Sequence, residues 1–91
     1  MAFKVYTTSS FDRELKKAVS KDRVLLTAFE NIAAVFSADP FNSKREYNIR
    51  KLTDVDHGKW RLRLGDYRIR YDVDGQKVIL HSIKNRKDTY K

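Results

Sequence analysis

Hydrophobic and polar residues alternate between Lys59 and Val73, where the sequence reads KWRLRLGDYRIRYDV. A period of two is typical of half-buried strands. Gly65-Asp66, in the middle of the stretch, suits a two-residue type II′ turn, because the first position of that turn has a positive φ that glycine adopts readily. The pattern therefore predicts a β-hairpin with one apolar face and one polar face.

The polar face of this hairpin carries four arginines. In the predicted register, Arg63 lies opposite Arg68 and Arg61 lies opposite Arg70. Directly opposed strand residues have Cβ atoms about 4.5–5.5 Å apart, where like charges destabilise a sheet. Binding to a polyanion favours this arrangement, and arginine suits bidentate contacts with phosphate. The alternative is a charged face that is merely solvated, but the only acid predicted there is Asp72.

The remaining patterns predict two helices and three more strands. Phe3–Thr7 alternates briefly and predicts a short strand. Two apolar stripes at helical spacing follow, separated by a break at Ser20–Asp22 and ended by Pro40. The stripes consist of Phe11, Leu15, Ala18 and Val19, then Leu25, Ala28, Phe29, Ile32 and Phe36. Tyr47–Leu52 predicts a strand before the arginine hairpin. A turn at Asp74-Gly75 predicts a last strand over Lys77–Ile83.

These elements predict an α+β fold with an N-terminal strand, a helical hairpin and a four-stranded antiparallel meander. The helices must cover one face of the sheet, which leaves the arginines on the other face. The 91 residues of the chain fit a single domain, predicted over residues 1–91.

Charge is distributed unevenly along the chain. The formal net charge is +8, and residues 44–91 carry 14 basic and 7 acidic groups. This asymmetry indicates an anionic partner such as nucleic acid, although basic proteins also bind acidic proteins. The chain has no cysteine and its acids are scattered, so we expect no metal and no cofactor. No apolar run reaches the roughly 20 residues that span a bilayer, and the first residues do not resemble a signal peptide. We therefore expect a soluble, cytoplasmic protein without membrane contact.

The motif W-R-L-R-L-G-D-Y-R-I-R-Y, followed near the end by N-R-K-D-T-Y, resembles the RelE/ParE toxin superfamily of toxin–antitoxin systems. The resemblance covers nearly the whole chain, and its most specific part is G-D-Y-R-x-x-Y followed one strand later by R-x-x-x-Y. It implies a RelE-like fold. For RelE-like members it also implies an endoribonuclease that cleaves mRNA on the ribosome by attack of a 2′-hydroxyl on the neighbouring phosphate, without a metal. The implied partners are a cognate antitoxin, the ribosome and mRNA.

The resemblance implies roles for individual residues. Arg61 and Arg63 correspond to the basic pair that holds the RNA backbone, and Arg68 to the arginine that stabilises charge developing on the scissile phosphate. Arg86 is expected near the leaving oxygen. Tyr90 is expected to stack on a base or take part in proton transfer. Further RNA contacts are expected from Arg70, Arg50, Lys84 and Lys87.

The general base is not assigned by the resemblance. Some relatives have lysine at the positions of Arg61 and Arg63, and others have a glutamate where Arg50 stands. Arginine does not serve as a base, because its pKa is too high.

His81 is the candidate base, since a turn at Asp74-Gly75 places it opposite Arg68 on the arginine face. A free imidazole titrates near pH 6.5, about the range that acid–base catalysis needs. A β-bulge would instead turn His81 into the core, where histidine has a structural role. His57, in a predicted loop, is expected to be only solvated.

Two other functions are open. A ParE-like toxin shares the fold, and the resemblance then implies inhibition of DNA gyrase by protein binding. The complete set of arginines and the tyrosine favours RNA cleavage over this reading. A basic interaction module without catalysis is the third possibility, because no base is assigned.

Overall fold

The computed structural model describes residues 3–41, 48–53 and 55–86. In these ranges the chain forms one five-stranded sheet and two helices. The elements in chain order are β1 (Lys4–Thr7), α1 (Ser9–Lys21), α2 (Arg23–Ala38), β2 (Ile49–Lys51), β3 (Trp60–Leu64), β4 (Tyr67–Asp74) and β5 (Lys77–Asn85). No helix among the described residues is long and apolar enough to cross a membrane.

The strand order is β1-β5-β4-β3-β2. Strands β2 to β5 form an antiparallel meander, and β1 pairs in parallel with β5, with Lys4 opposite Lys77. The strands β1 and β2 lie at opposite edges of the sheet, and both helices lie between them in the chain. The predicted α+β fold is confirmed.

Single capping residues begin and separate the helices. The Thr8 hydroxyl accepts the backbone N–H of Phe11 at 3.1 Å and so caps α1. Asp22 ends α1 by donating its backbone N–H to Ala18 and begins α2 by accepting the N–H of Val24 at its side chain. The break between the helices is therefore this one residue, shorter than the predicted Ser20–Asp22. Helix α2 ends at Ala38, two residues before Pro40, which was predicted to end it.

The core lies between the helices and one face of the sheet. Its buried residues are Phe11, Ala18, Leu25, Ile32, Val35, Phe36, Leu62, Tyr67, Ile69, Tyr71, Val78, Leu80 and Ile83. Tyr71 is completely buried, and its ring centroid lies 4.9 Å from that of Phe36. Its hydroxyl donates to the carbonyl oxygen of Pro40 at 2.6 Å. Burial, assisted by the charge of Asp39, raises the pKa of Tyr71, so the hydroxyl stays protonated and remains a donor.

The β4–β5 turn lies one residue later than predicted. Asp74 pairs with Lys77, so the two turn residues are Gly75 and Gln76, and the predicted turn at Asp74-Gly75 is wrong. The physical reason is the φ of +61° at Gly75, which suits the first position of such a turn. The first hairpin follows the same rule, with Gly65 at a φ of +60°.

Candidate nucleic-acid interface

The arginine surface is the sheet face that carries Arg61, Arg63, Arg68 and Arg70, opposite the face that packs against the helices. The predicted pairs, Arg61 with Arg70 and Arg63 with Arg68, are confirmed by the strand register. Neighbouring strands extend these pairs into two rows of basic residues that cross the sheet. One row is Arg50, Arg61 and Arg70, and the other is Arg63, Arg68 and Lys84.

The second row lies close to the β3–β4 turn. Arg86 donates its backbone N–H to the carbonyl of Asp66 in that turn at 2.6 Å, so it stands at the same end of the sheet as Arg63 and Arg68. The side chain of Arg63 is exposed and that of Arg68 is half-buried. This end therefore brings together three of the residues assigned by resemblance. Tyr90, which is also assigned by resemblance, and Lys87, an expected RNA contact, lie outside the described residues.

Lys84 is drawn toward helix α1. Its Nζ lies 2.5 Å from Glu14 Oε2, and Glu14 Oε1 accepts the backbone N–H of Ile83 at 3.3 Å. Glu14 thus offsets part of the charge of Lys84. It also accepts a backbone N–H of β5 after Leu80, where the pairing of β5 with β1 ends. The RNA contact expected of Lys84 stays a prediction.

Arg70 contacts the backbone of the segment before β3. Its Nε donates to the carbonyl of Gly58 at 3.0 Å, and its Nη2 donates to the carbonyl of His57 at 2.9 Å. The guanidinium therefore fixes the position of this segment with two of its N–H groups. The RNA contact predicted for Arg70 stays a prediction. These two hydrogen bonds give Arg70 a second role, which is to hold the backbone at His57 and Gly58.

Asp72 holds the same segment from the next position along the arginine surface. Its Oδ2 accepts the N–H of Gly58 at 2.8 Å, and its Oδ1 accepts the N–H of Lys59 at 2.8 Å. Its Oδ2 also lies 2.8 Å from Nε2 of His81. Partial burial alone raises the pKa of Asp72, but the two backbone N–H groups and His81 outweigh it and lower that pKa. Asp72 is therefore a carboxylate at neutral pH.

Glycine is required at position 58. Its φ of +64° lies in the left-handed region, and an added Cβ would lie 3.0 Å from Cβ of Arg70 and 3.2 Å from its Nε. The backbone can approach Arg70 closely only because this side chain is absent. Together, Arg70 and Asp72 make four hydrogen bonds to the segment that carries His57.

The prediction that His81 lies opposite Arg68 is wrong. Strand β5 contains a bulge, because Tyr71 pairs with Leu80 whereas Arg70 pairs with Ser82, and His81 is the extra residue. Lys84 takes the place opposite Arg68.

The bulge does not turn His81 into the core. Its side chain contacts Asp72 and is 28% exposed. Asp72 lies two positions after Arg70 on β4, and its side chain points to the same face as those of Arg68 and Arg70. The contact with Asp72 therefore places His81 on the arginine surface.

His57 is exposed, and its ring centroid lies 6.0 Å from that of His81. This proximity could not be predicted from the sequence, because it depends on the bulge and on the hydrogen bonds made by Arg70 and Asp72. Across the described ranges, no three His, Cys, Asp or Glu side chains are grouped so as to hold a metal ion.

The fold defined by this sheet and helical hairpin is that of RelE-type toxins. The chain is 21% identical to a chain of the RelE–RelB complex of Pyrococcus horikoshii, with a TM-score of 0.73 and coverage of 94% of this chain and 97% of that one. For the RelB–RelE antitoxin–toxin complex of Methanococcus jannaschii the identity is 25%, the TM-score 0.61 and the coverage 93% and 94%. For a chain of the DinJ–YafQ complex of E. coli the identity is 9% and the TM-score 0.78, with coverage of 98% of this chain and 99% of that one.

Residues 5–90 match the family model of the ParE toxin of type II toxin–antitoxin systems, parDE. The chain belongs to this family and is a toxin of a type II toxin–antitoxin system. The superfamily expected from the sequence motifs is thereby confirmed. No curated protein sequence matches the chain.

Proposed function

We propose that this toxin is a RelE-type endoribonuclease that cleaves mRNA on the ribosome. The observation that carries the proposal is the pair of basic rows on the arginine surface, with Arg63 and Arg68 in register and Arg86 at the same end of the sheet. Like charges so close oppose folding. A phosphate chain lying along the surface offsets that cost, and planar guanidinium groups bind its oxygens in pairs.

The reaction begins with attack of a ribose 2′-hydroxyl on the adjacent phosphorus and ends when the bond to the 5′-oxygen breaks. The products are a 2′,3′-cyclic phosphate and a 5′-hydroxyl. Extra negative charge develops on a phosphate that already carries one. Arg68 is half-buried, so water screens its charge less than that of an exposed arginine, and this favours it as the group that stabilises the transition state. Arg61 and Arg63 hold the RNA backbone.

An antitoxin is the expected protein partner. Similar chains occur in complexes with RelB in two archaea and with DinJ in E. coli. We infer that the cognate antitoxin of this chain carries acidic residues that meet the arginine surface, because the chain has a net charge of +8.

The decisive experiment is a cleavage assay on mRNA-programmed ribosomes with wild type and Arg68→Ala. Losing one preorganised charge donor typically lowers the rate by about 10²–10³-fold. We expect that loss without a change in unfolding midpoint. Arg13→Ala is the matched control, since Arg13 is an exposed arginine on α1, and it should cleave at the wild-type rate. Full activity of Arg68→Ala would overturn the proposed mechanism.

Inhibition of DNA gyrase is the second candidate function. The family-model match to ParE favours it, since the resemblance implies that activity for ParE-like toxins. A supercoiling assay on the same protein preparation separates the two candidates. A protein that blocks gyrase and leaves ribosome-bound mRNA intact has the second function and lacks the first.

A further inference from the structure

A groove runs along the outer side of β5, on the part of the strand that β1 does not cover. Strand β1 pairs with β5 only from Lys77 to Leu80, and the described residues place no strand against this side of β5 farther along. Helix α1 lies there instead, and a cavity of about 380 Å³ lies between the helix and the strand. An exposed strand edge of this kind is a place where an extended chain can add. We call this cavity the edge groove, lined by Glu14, Lys17, Ala18, Lys21, Ile83 and Lys84.

Positive charge dominates the edge groove. Glu14, Lys17 and Lys21 lie three or four positions apart on α1, so their side chains share one side of the helix. Lys84 lies on the β5 side and forms a salt bridge with Glu14, the only acid of the described lining. The charges of Lys17 and Lys21 are therefore in excess. Because lysines four positions apart on a helix repel each other, folding alone does not favour this pair.

The free edge of β5 also offers a backbone acceptor. The N–H of Ile83 points away from β4, since Oε1 of Glu14 on α1 accepts it at 3.3 Å. In a strand, the N–H and C=O groups of one residue point to the same side. The carbonyl of Ile83 therefore faces the edge groove, where a chain lying in the groove can donate a backbone N–H to it.

An apolar pocket continues from the edge groove. Tyr67 lines both cavities, so the two are neighbours. The pocket has a volume of about 120 Å³ and lies between the first turn of α2 and the β3–β4 turn. Val24 at this pocket is 75% exposed. Asp22 and Asp66 also line the pocket, so a negative charge is favoured only in the edge groove. The apolar lining consists of Val24, Leu25, Ala28 and Leu64.

We propose that the edge groove and the apolar pocket bind an extended segment of the cognate antitoxin. Acidic residues of the segment lie beside Lys17 and Lys21, and one apolar side chain lies against Val24 in the pocket. The inference requires only that the chain is a toxin with an antitoxin, so it is the same whether the toxin acts on mRNA or on gyrase. This contact is additional to the one expected at the arginine surface.

The chemistry of the two cavities favours a protein segment over nucleic acid. Successive phosphates of a polynucleotide carry charge at every position, and Glu14, Asp22 and Asp66 would repel some of them. A polypeptide can place its carboxylates beside the lysines alone and an aliphatic side chain in the apolar pocket. Its backbone N–H groups also match the carbonyl of Ile83. Asp66 accepts the backbone N–H of Arg86, so the segment ends near the arginine surface, and one antitoxin can cover both sites.

The test measures binding of the cognate antitoxin, identified as the product of a reading frame flanking the toxin gene that suppresses toxicity on co-expression. Affinity for refolded toxin is measured by surface plasmon resonance. The test variant is Lys17→Glu/Lys21→Glu. The matched control is Arg13→Glu/Lys16→Glu, which makes the same change in net charge at exposed positions of α1 outside the groove.

Two further checks separate binding from folding. Trp60 fluorescence during urea unfolding verifies that each variant is folded. Lys17→Gln/Lys21→Gln removes the same two positive charges without adding acids next to Glu14, so it remains informative if the glutamate variant is unstable. The apolar pocket is tested with Val24→Asp. Its control is Leu26→Asp, since Leu26 is 42% exposed on the same helix and lines neither cavity.

We expect Lys17→Glu/Lys21→Glu to bind the antitoxin about 10–100-fold more weakly than the control double variant, because like charges facing each other across an interface are strongly unfavourable. The glutamine variant should bind with an affinity between the two. Val24→Asp should weaken binding by about tenfold, whereas Leu26→Asp should stay within about twofold of wild type.

Equal affinities of the two double variants would overturn the proposal, and so would failure of every flanking product to bind the toxin. Binding of the single-stranded RNA poly(U) is measured on the same proteins. If Lys17→Glu/Lys21→Glu loses affinity for RNA relative to its control and keeps its affinity for the antitoxin, the groove binds nucleic acid and the antitoxin assignment is wrong. None of these results decides the ribonuclease function, which the cleavage assay tests separately.

Discussion

Removing one oxygen atom from the core should measurably destabilise the protein. In Tyr71→Phe the ring keeps its contact with Phe36, but the carbonyl of Pro40 loses the donor that lies 2.6 Å away. Both Tyr71 and Pro40 are fully buried, so water cannot replace the lost bond. A buried acceptor left unsatisfied costs about 1–3 kcal/mol, and we expect the free energy of unfolding to fall by that amount. For a domain of this size, each kcal/mol lowers Tm by about 4–8 °C.

The assay is urea unfolding followed by the fluorescence of Trp60, the only tryptophan of the chain. Its ring is stacked on that of Tyr71 with centroids 6.5 Å apart, so its emission reports on this part of the core. Tyr6→Phe is the matched control, because Tyr6 is 46% exposed on β1. It should change stability by no more than about 0.5 kcal/mol. Equal effects of the two variants would refute the importance assigned to the Pro40 contact.

Two further predictions concern charged residues. The pKa of Asp72 is lowered in the folded state, so its stabilising contribution is present above its unfolded pKa of about 3.9 and is lost as pH falls through the folded value. The stability difference between wild type and Asp72→Asn should therefore shrink as urea unfolding is repeated below about pH 4; a constant difference would contradict it. Arg63→Ala should reduce the slope of log affinity for single-stranded RNA against log salt by about 0.7–1, measured by anisotropy between about 50 and 200 mM salt. Lys16→Ala, on the exposed side of α1, should leave that slope unchanged, and an unaltered slope in Arg63→Ala would remove Arg63 from the RNA contact.

Local patterns predicted the fold well because each element carries its own signal. Alternation gave the β3–β4 hairpin, and the turn at Gly65-Asp66 fixed its register without tertiary information. The helical stripes gave α1 and α2, although Val35 is also buried and did not belong to the predicted stripe. These features depend on residues close together in the sequence.

The site depended on details that local patterns do not contain. Moving the β4–β5 turn by one residue and adding one bulge changed every partner assigned to β5, so the partner of Arg68 is Lys84 rather than His81. The segment at Gly58 is fixed by side chains more than ten positions away in the sequence. One signal for this contact was present in the sequence, because Asp72 is the only acid on an otherwise basic face. A partly buried carboxylate needs hydrogen-bond donors, and the backbone N–H groups of Gly58 and Lys59 supply them.

Strand β4 serves the core and the site at once, because its side chains alternate between the two faces. Ile69 and Tyr71 are completely buried, whereas Arg68, Arg70 and Asp72 point to the arginine surface. Tyr71 lies between Arg70 and Asp72, so its hydrogen bond to Pro40 fixes the stretch of strand from which both residues hold the His57 segment. The surface residues add little to the core. Removing the charge of Arg61, Arg63 or Arg68 also relieves repulsion between like charges. Loss of activity without loss of stability is therefore expected on this face, whereas loss of stability is expected at Tyr71.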